Sequence, residues 1–116
     1  MKVYQYPKCS TCKKALKWLD DQGISYEAIH IAESNPTKEE LKAYYELSGQ
    51  PLKKFFNTSG LKYKELGLKD RLKDMSEDEQ LELLATDGML VKRPLCITEN
   101  NVLIGFKEDE WSEKLK

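Results

Sequence analysis

The sequence predicts an α/β fold in which a strand–helix–strand unit opens the chain and a β-hairpin with a short helix closes it. Three observations predict this class: an alternating and a helical pattern follow one another within about 30 residues, a long helical block comes next, and two short apolar runs flank a late turn. A chain of 116 residues has the length of one domain. We expect a single domain over residues 1–116, with a helical insertion over about residues 37–88.

The first element is a strand over residues 2–6, where Val3 alternates with two tyrosines. From residue 13 the apolar spacing becomes three and four residues, which predicts a helix with one buried face. That face carries Ala15, Leu16, Trp18 and Leu19, and Gly23 suits the end of the helix. Alternation returns over residues 24–31 and predicts a second strand. Strands joined by a crossover helix are expected to be parallel.

Two capping boxes mark the helical block. Thr37 stands three residues before Glu40, and Ser76 stands three residues before Glu79, which is the pattern that opens a helix. Shorter helical pieces are expected between them, with core side chains that include Leu52, Phe55, Phe56, Tyr63 and Leu66. Residues 57–60 (Asn-Thr-Ser-Gly) form a predicted turn.

The last elements are a hairpin and a helix. Residues 95–98 and 102–106 are strand-like around a turn at residues 99–101, and residues 107–116 predict a short helix that packs Trp111 and Leu115. Arg93-Pro94 stands just before the first hairpin strand. An X-Pro bond at such a bend is a candidate for the cis isomer.

Charge and hydropathy exclude several functions. Nineteen basic and twenty acidic residues leave a net charge of −1, so no strong field is available to hold nucleic acid or an anionic membrane. No apolar run approaches the roughly 20 residues of a membrane span. The first residues lack the apolar region of a signal peptide. We therefore expect a cytoplasmic protein that binds neither nucleic acid nor membrane directly.

Cys9 and Cys12 form the most informative motif. Cys9 follows a predicted strand at the start of a helix, where unpaired backbone amides and the helix dipole favour a thiolate, and Lys8, Lys13 and Lys14 add positive charge. Cys12 lies one helical turn away, within the reach of a disulfide. So short a loop stabilises a fold little. The pair therefore suits a redox switch, with Cys9 attacking and Cys12 resolving.

Other interpretations of the pair stay open. Half of a zinc site is one, although the sequence offers only Cys96, His30 and carboxylates as further ligands; we expect no metal. Two incidental cysteines at a helix start are another. His30 is expected to be structural, and Cys96 to be a small buried apolar residue. Arg93, beside a predicted bend, is a candidate for holding an oxyanion.

The motifs together resemble the glutaredoxin-type arsenate reductase / Spx family. The resemblance is carried by residues 6–15 (YPKCSTCKKA), by Trp18-Leu19, by the turn at 57–60, by Lys92-Arg93-Pro94-Leu95 and by Ile104-Gly105-Phe106 with Glu110-Trp111. It covers essentially the whole chain in order. The resemblance implies a thioredoxin-like fold with a helical insertion.

The resemblance also implies roles. Cys9 corresponds to the nucleophile toward arsenate and Arg93 to one of several oxyanion-holding arginines; Ser59 stands where another family arginine falls, and Lys107 is the cation near the last one. The second cysteine, Cys12, is more like the Spx branch, in which the pair is a redox switch on a regulator that binds RNA polymerase. Pro51 aligns with that regulator's contact glycine.

These considerations give one functional expectation with one alternative. We expect a monomeric thiol–disulfide oxidoreductase with catalytic Cys9, Cys12 and Arg93. Its substrate site is expected to include Lys8, Ser10, Thr11 and Pro94, with no bound cofactor. Electrons are expected from glutathione, glutaredoxin or thioredoxin. The alternative is an Spx-like redox-sensing regulator with RNA polymerase as its partner.

Overall fold

The computed structural model describes residues 1–116 and shows four strands and six α-helices. The strands are β1 (Lys2–Gln5), β2 (Glu27–His30), β3 (Leu95–Ile97) and β4 (Val102–Ile104). The helices are α1 (Ser10–Asp21), α2 (Lys38–Ser48), α3 (Leu61–Glu65), α4 (Leu68–Arg71), α5 (Glu77–Thr86) and α6 (Glu108–Leu115). Short 3-10 turns occupy Leu52–Phe55, Leu72–Asp74 and Gly88–Leu90. The predicted α/β order is confirmed.

One sheet with the strand order β2-β1-β3-β4 organises the chain. β1 and β2 are parallel, with Val3 opposite Ala28, as the crossover through α1 requires. β3 is antiparallel to both of its neighbours and places Cys96 between Val3 and Leu103. The late hairpin therefore returns to the centre of the sheet and lies beside the first strand.

Side chains from the two faces of the sheet enter two apolar clusters. Val3 points to the smaller cluster, which α1 and α6 complete with Trp18, Leu19 and Trp111. Tyr4, the next residue, points to the larger cluster, which the helical block builds from side chains such as Leu41, Leu68 and Leu84. This alternation is the period of two that a strand imposes. α1 is thereby fixed against the sheet with its first residue at the end of β1.

The helix boundaries follow the predicted caps. The side chains of Thr37 and Ser76 accept hydrogen bonds from the backbone amides of Glu40 and Glu79, at 3.1 Å each. The glutamate side chains bond back to the two cap amides, so both capping boxes are confirmed. Gly23, after α1, adopts a left-handed φ of 69°, which glycine accepts without strain.

All four strands are shorter than predicted, and one helix was not predicted. β2 spans four residues rather than residues 24–31 because its only partner, β1, offers four paired positions. β4 ends at Ile104 because Gly105 turns the backbone to a φ of 75°. The helix α4, which directly follows Gly67, was not predicted from the sequence. The bond between Arg93 and Pro94 is cis, as the bend predicted.

None of the helices combines the length and the apolar character that crossing a membrane requires.

Candidate active site

Cys9 is the residue that caps the N-terminus of α1. Its backbone is extended (φ −91°, ψ 113°), and its Sγ accepts a hydrogen bond from the backbone N–H of Cys12 at 3.3 Å. The thiol therefore takes the position that Ser, Thr or Asp fills in most helices. An anion there meets free amides and the positive end of the helix dipole. Cys9 is half-buried, so a reagent can reach its sulfur.

The backbone of Cys9 is held on both sides. Its N–H donates to the carbonyl oxygen of Tyr6 at 3.0 Å, and its own carbonyl accepts the N–H of Lys13 at 3.1 Å. The first bond closes the turn between β1 and α1, and the second begins the helical ladder. The sulfur position is therefore set by the strand and the helix together.

Cys12 lies behind Cys9 and is fully buried. Burial raises the pKa of its thiol well above the ordinary value, and its hydrogen bond with Cys9 raises it further. The backbone amide of Tyr6 and the charge of Arg93 lower the pKa of Cys12 and only partly offset these effects. Both cysteines are free thiols in this structure. One sulfur is thus accessible, and its neighbour is a buried thiol whose raised pKa favours the protonated form.

Arg93 reaches the site from the segment before β3. Its Nη1 donates to the carbonyl oxygens of Met89 and Val91 at 3.4 and 3.5 Å, which are long bonds. Its guanidinium carbon lies 5.2 Å from the centre of the Tyr6 ring, within the range of a cation–π contact. Its Nε is buried without a hydrogen-bond partner. The guanidinium therefore keeps unused donor capacity beside the thiols.

Strand pairing explains how distant residues meet here. β1 and β3 run antiparallel, with Tyr4 opposite Leu95, so continuing the register by two residues brings Tyr6 opposite Arg93. Pro94 is buried at this point, and its carbonyl accepts the N–H of Gly105 at 2.9 Å. The structure thus brings Cys9, Cys12, Arg93 and Pro94 to the end of β1.

Lys8, Ser10 and Thr11 lie on the surface around Cys9. All three are exposed, and none of their side chains forms a hydrogen bond or an ion pair. They surround the accessible sulfur without closing a pocket over it. Their role in binding a substrate stays a prediction.

His30 and Cys96 have structural positions. His30 accepts the N–H of Glu33 on Nδ1 at 3.3 Å, and its ring meets the Tyr6 ring edge-on with centroids 5.6 Å apart. Cys96 is fully buried in the cluster of Val3 and Trp111, and burial raises its pKa to about 12. The burial expected for Cys96 is confirmed, and the structural role expected of His30 stays a prediction. No group of three or more His, Cys, Asp and Glu side chains comes together.

The resemblance names two further positions, Ser59 and Lys107. Ser59 is exposed and donates to Oδ1 of Asn57 at 3.3 Å, so the turn at 57–60 carries no positive charge. Lys107 lines a shallow cleft with Lys54. Arg93 lines a different cleft with residues that include Leu61.

Tyr6 is the site residue that sequence reasoning missed. The sequence placed Tyr6 at the end of the first strand and in the motif of residues 6–15, without a role at the site. In the structure its carbonyl accepts the Cys9 amide and its ring lies under Arg93. Its position directly before the Pro7–Cys12 segment was the only available signal. Recognising the contact needs the pairing of β1 with β3, which joins residues almost ninety positions apart in the sequence.

A thiol that caps the helix after the first strand, with a cis-proline segment beside it, defines a thiol-bearing protein of the thioredoxin-like class. The chain belongs to the ArsC family, whose profile matches residues 4–114. The resemblance found in the sequence and the thioredoxin-like fold that it implied are both confirmed.

Relatives and solved structures agree with this assignment. The chain is 64% identical over 110 residues to the uncharacterised protein YusI of Bacillus subtilis, covering 95% of this chain and 93% of YusI. It is 31% identical to the regulatory protein MgsR of the same organism, over 92% of this chain and 83% of MgsR. It is 25% identical to the global transcriptional regulator Spx 2 of Bacillus anthracis, over 93% and 81%.

Two solved structures superpose over nearly the whole chain. An ArsC family related protein from Bacteroides fragilis is 60% identical, with a TM-score of 0.96 over 99% of this chain and 96% of that one. The arsenate reductase from Vibrio cholerae is 30% identical, with a TM-score of 0.84 over 97% of each chain. The family therefore includes proteins named as reductases and proteins named as regulators.

Proposed function

We propose that the protein is a thiol–disulfide oxidoreductase in which Cys9 attacks the substrate and Cys12 resolves the intermediate. One observation carries this proposal: the accessible Cys9 sulfur sits at the N-cap of α1 and accepts the Cys12 amide at 3.3 Å, with the Cys12 thiol buried next to it. The N-cap position of Cys9 favours attack by a thiolate, and the neighbouring Cys12 thiol lies within reach to trap the intermediate.

The proposed reaction on a disulfide has two steps. The Cys9 thiolate attacks one substrate sulfur, a bond forms between these two atoms, and the other substrate sulfur leaves with the electron pair as a thiolate. Cys12 then loses its proton to solvent and attacks Cys9. The Cys9–Cys12 disulfide forms, and the second substrate thiolate leaves. The substrate gains two electrons, and the cysteine pair loses them.

The surroundings of Cys9 support a substrate that is a disulfide or a small oxyanion such as arsenate. Arg93 retains free donors, and Lys8 adds positive charge at the surface. The proposed binding surface is completed by Ser10 and Thr11, in the first turn of α1, and by Pro94 beside that turn. Glutathione, glutaredoxin or thioredoxin would return the pair to its dithiol state, and the protein would act as a monomer in the cytoplasm.

Alkylation tests the proposed roles. With iodoacetamide at pH 6–7 and mass spectrometry of the peptides, Cys9 should be modified first, because it is accessible while Cys12 and Cys96 are buried. Equal and slow modification of all three cysteines would contradict the proposal. A turnover panel of arsenate, glutathione mixed disulfides and protein disulfides then identifies the substrate class, with Cys9→Ser as the inactive control.

A second candidate is a regulator whose Cys9–Cys12 disulfide controls binding to RNA polymerase. It is supported by the similarity to MgsR and Spx 2 over more than nine-tenths of the chain. It predicts that purified RNA polymerase captures one redox form of the protein, and that Cys12→Ala abolishes the redox dependence. Equal capture of both forms, or no capture of either, would remove this candidate.

A further inference from the structure

We propose that Tyr6 is a positioning residue for the resolving step, because its ring holds the Arg93 guanidinium beside the Cys9–Cys12 pair. This inference rests on the proposed oxidoreductase function. It assigns a distinct task to a side chain that neither attacks nor binds the substrate. Tyr6 connects the two halves of the site, since its carbonyl holds the Cys9 amide at 3.0 Å and its ring faces Arg93 at 5.2 Å.

Arg93 has few other contacts that would fix its position. Its two hydrogen bonds, to the carbonyls of Met89 and Val91, measure 3.4 and 3.5 Å, at the weak end of the accepted range. Its Nε has no partner, and it forms no ion pair. A cation over an aromatic face is stabilised by the ring quadrupole, more strongly where water is partly excluded. The Tyr6 ring is therefore the main restraint on the guanidinium.

The Tyr6 ring is itself held in place. Its backbone is fixed by the turn into α1, and its ring meets His30 edge-on at an interplanar angle of 83°. His30 is anchored in turn by the Glu33 amide. The stack thus runs from His30 through Tyr6 to Arg93.

The resolving step is where this arrangement matters. Cys12 is buried and must become a thiolate before its sulfur can attack Cys9. Burial raises the pKa of Cys12, and the positive charge of Arg93 is one of the smaller influences that lower it. If the ring is lost, the guanidinium is free to move away from the thiols, and the Cys12 thiolate becomes scarcer. The first attack, by Cys9, draws on the helix N-terminus instead and should change little.

A single-turnover experiment separates the two steps. The reduced protein is mixed with an aromatic disulfide whose thiolate product absorbs visible light. The first equivalent released reports attack by Cys9, and the second reports resolution by Cys12. For Tyr6→Leu the second phase should slow roughly threefold to tenfold, while the first stays within about twofold of wild type. Tyr6→Phe keeps the ring face and should match wild type in both phases.

A double-variant cycle tests the link to Arg93. Arg93→Gln removes the cation that the Tyr6 ring holds, so adding Tyr6→Leu to it should slow the second phase by less than about half as much as in wild type, on a logarithmic scale. Tyr6→Met serves in place of Tyr6→Leu if circular dichroism shows that the leucine variant is unfolded.

The outcomes are distinct. An unchanged second phase in Tyr6→Leu, or an equal loss in Tyr6→Phe, would overturn the role of the ring while leaving the oxidoreductase function intact. A wild-type protein that releases only one equivalent would instead refute the proposed function itself.

Discussion

Raising the pH should accelerate the step in which Cys12 attacks Cys9, because the Cys12 thiol must first lose its proton. Burial, the largest cause, raises its pKa above the ordinary value of 9.0. Fewer than about 1% of the molecules then carry a Cys12 thiolate near pH 7. Once Cys9 is bonded to a substrate sulfur, its hydrogen bond to the Cys12 thiol is lost, but the burial remains.

The magnitude follows from this burial. Below the pKa of an acid, its ionised fraction grows about tenfold for each pH unit. The rate of the resolving step should therefore rise about tenfold per unit from pH 7 to pH 9, with no plateau in that interval. At neutral pH the resolving step is therefore expected to be slow, because few molecules carry a Cys12 thiolate.

The assay is the single-turnover reaction with an aromatic disulfide, followed at several pH values. Cys12→Ser should release one equivalent of product and retain the other half of the reagent on Cys9, which mass spectrometry detects. Cys96→Ser is the matched control, because it removes a cysteine outside the site and should release both equivalents. A second phase that is independent of pH between 7 and 9 would refute the reasoning, as would a second equivalent from Cys12→Ser.

Three further predictions concern stability and specificity. Cys96 stays protonated in the folded protein, because burial raises its pKa to about 12, but it ionises above about pH 9 in the unfolded chain. Between pH 8 and pH 10 the free energy of unfolding of the wild type should therefore fall about 1.3 kcal/mol more than that of Cys96→Ala. Urea denaturation under reducing conditions measures this difference, and parallel pH profiles of the two proteins would contradict it. Ser59→Arg should raise the rate of arsenate-dependent oxidation of a thiol reductant about tenfold or more over Ser59→Gln, because it adds a guanidinium to a turn without positive charge. Equal rates in the two variants would show that an arginine at this position does not promote arsenate reduction. Thr37→Ala and Ser76→Ala should each lower the free energy of unfolding by about 1 kcal/mol, measured in urea, and no loss in either would show that these caps contribute little.

The local parts of the fold were predictable because their signals are local. The capping boxes at Thr37 and Ser76 and the glycine after α1 fixed helix ends through contacts within a few residues. The same holds for Cys9, whose place at the start of a helix follows from its neighbours. The strand order could not be predicted in the same way, because no local sequence pattern indicates that β3 lies beside β1.

The features of the site that the sequence did not predict depend on contacts between residues far apart in the chain. The stack of Tyr6 on Arg93 and the complete burial of Cys12 depend on how the hairpin and α1 pack against β1. The length of β2 likewise depended on the number of residues its partner β1 could pair. Such features are set by tertiary contacts, which override local propensity.

Disulfide mapping of the oxidised protein tests most directly whether Cys9 and Cys12 act as an attacking and a trapping pair. The reduced protein is treated with one equivalent of a small disulfide, quenched in acid, digested, and analysed by mass spectrometry. We predict a peptide in which Cys9 and Cys12 are joined, with Cys96 left as a free thiol. A stable adduct of the small thiol on Cys9 beside a free Cys12, or a bond from either to Cys96, would contradict the proposed chemistry.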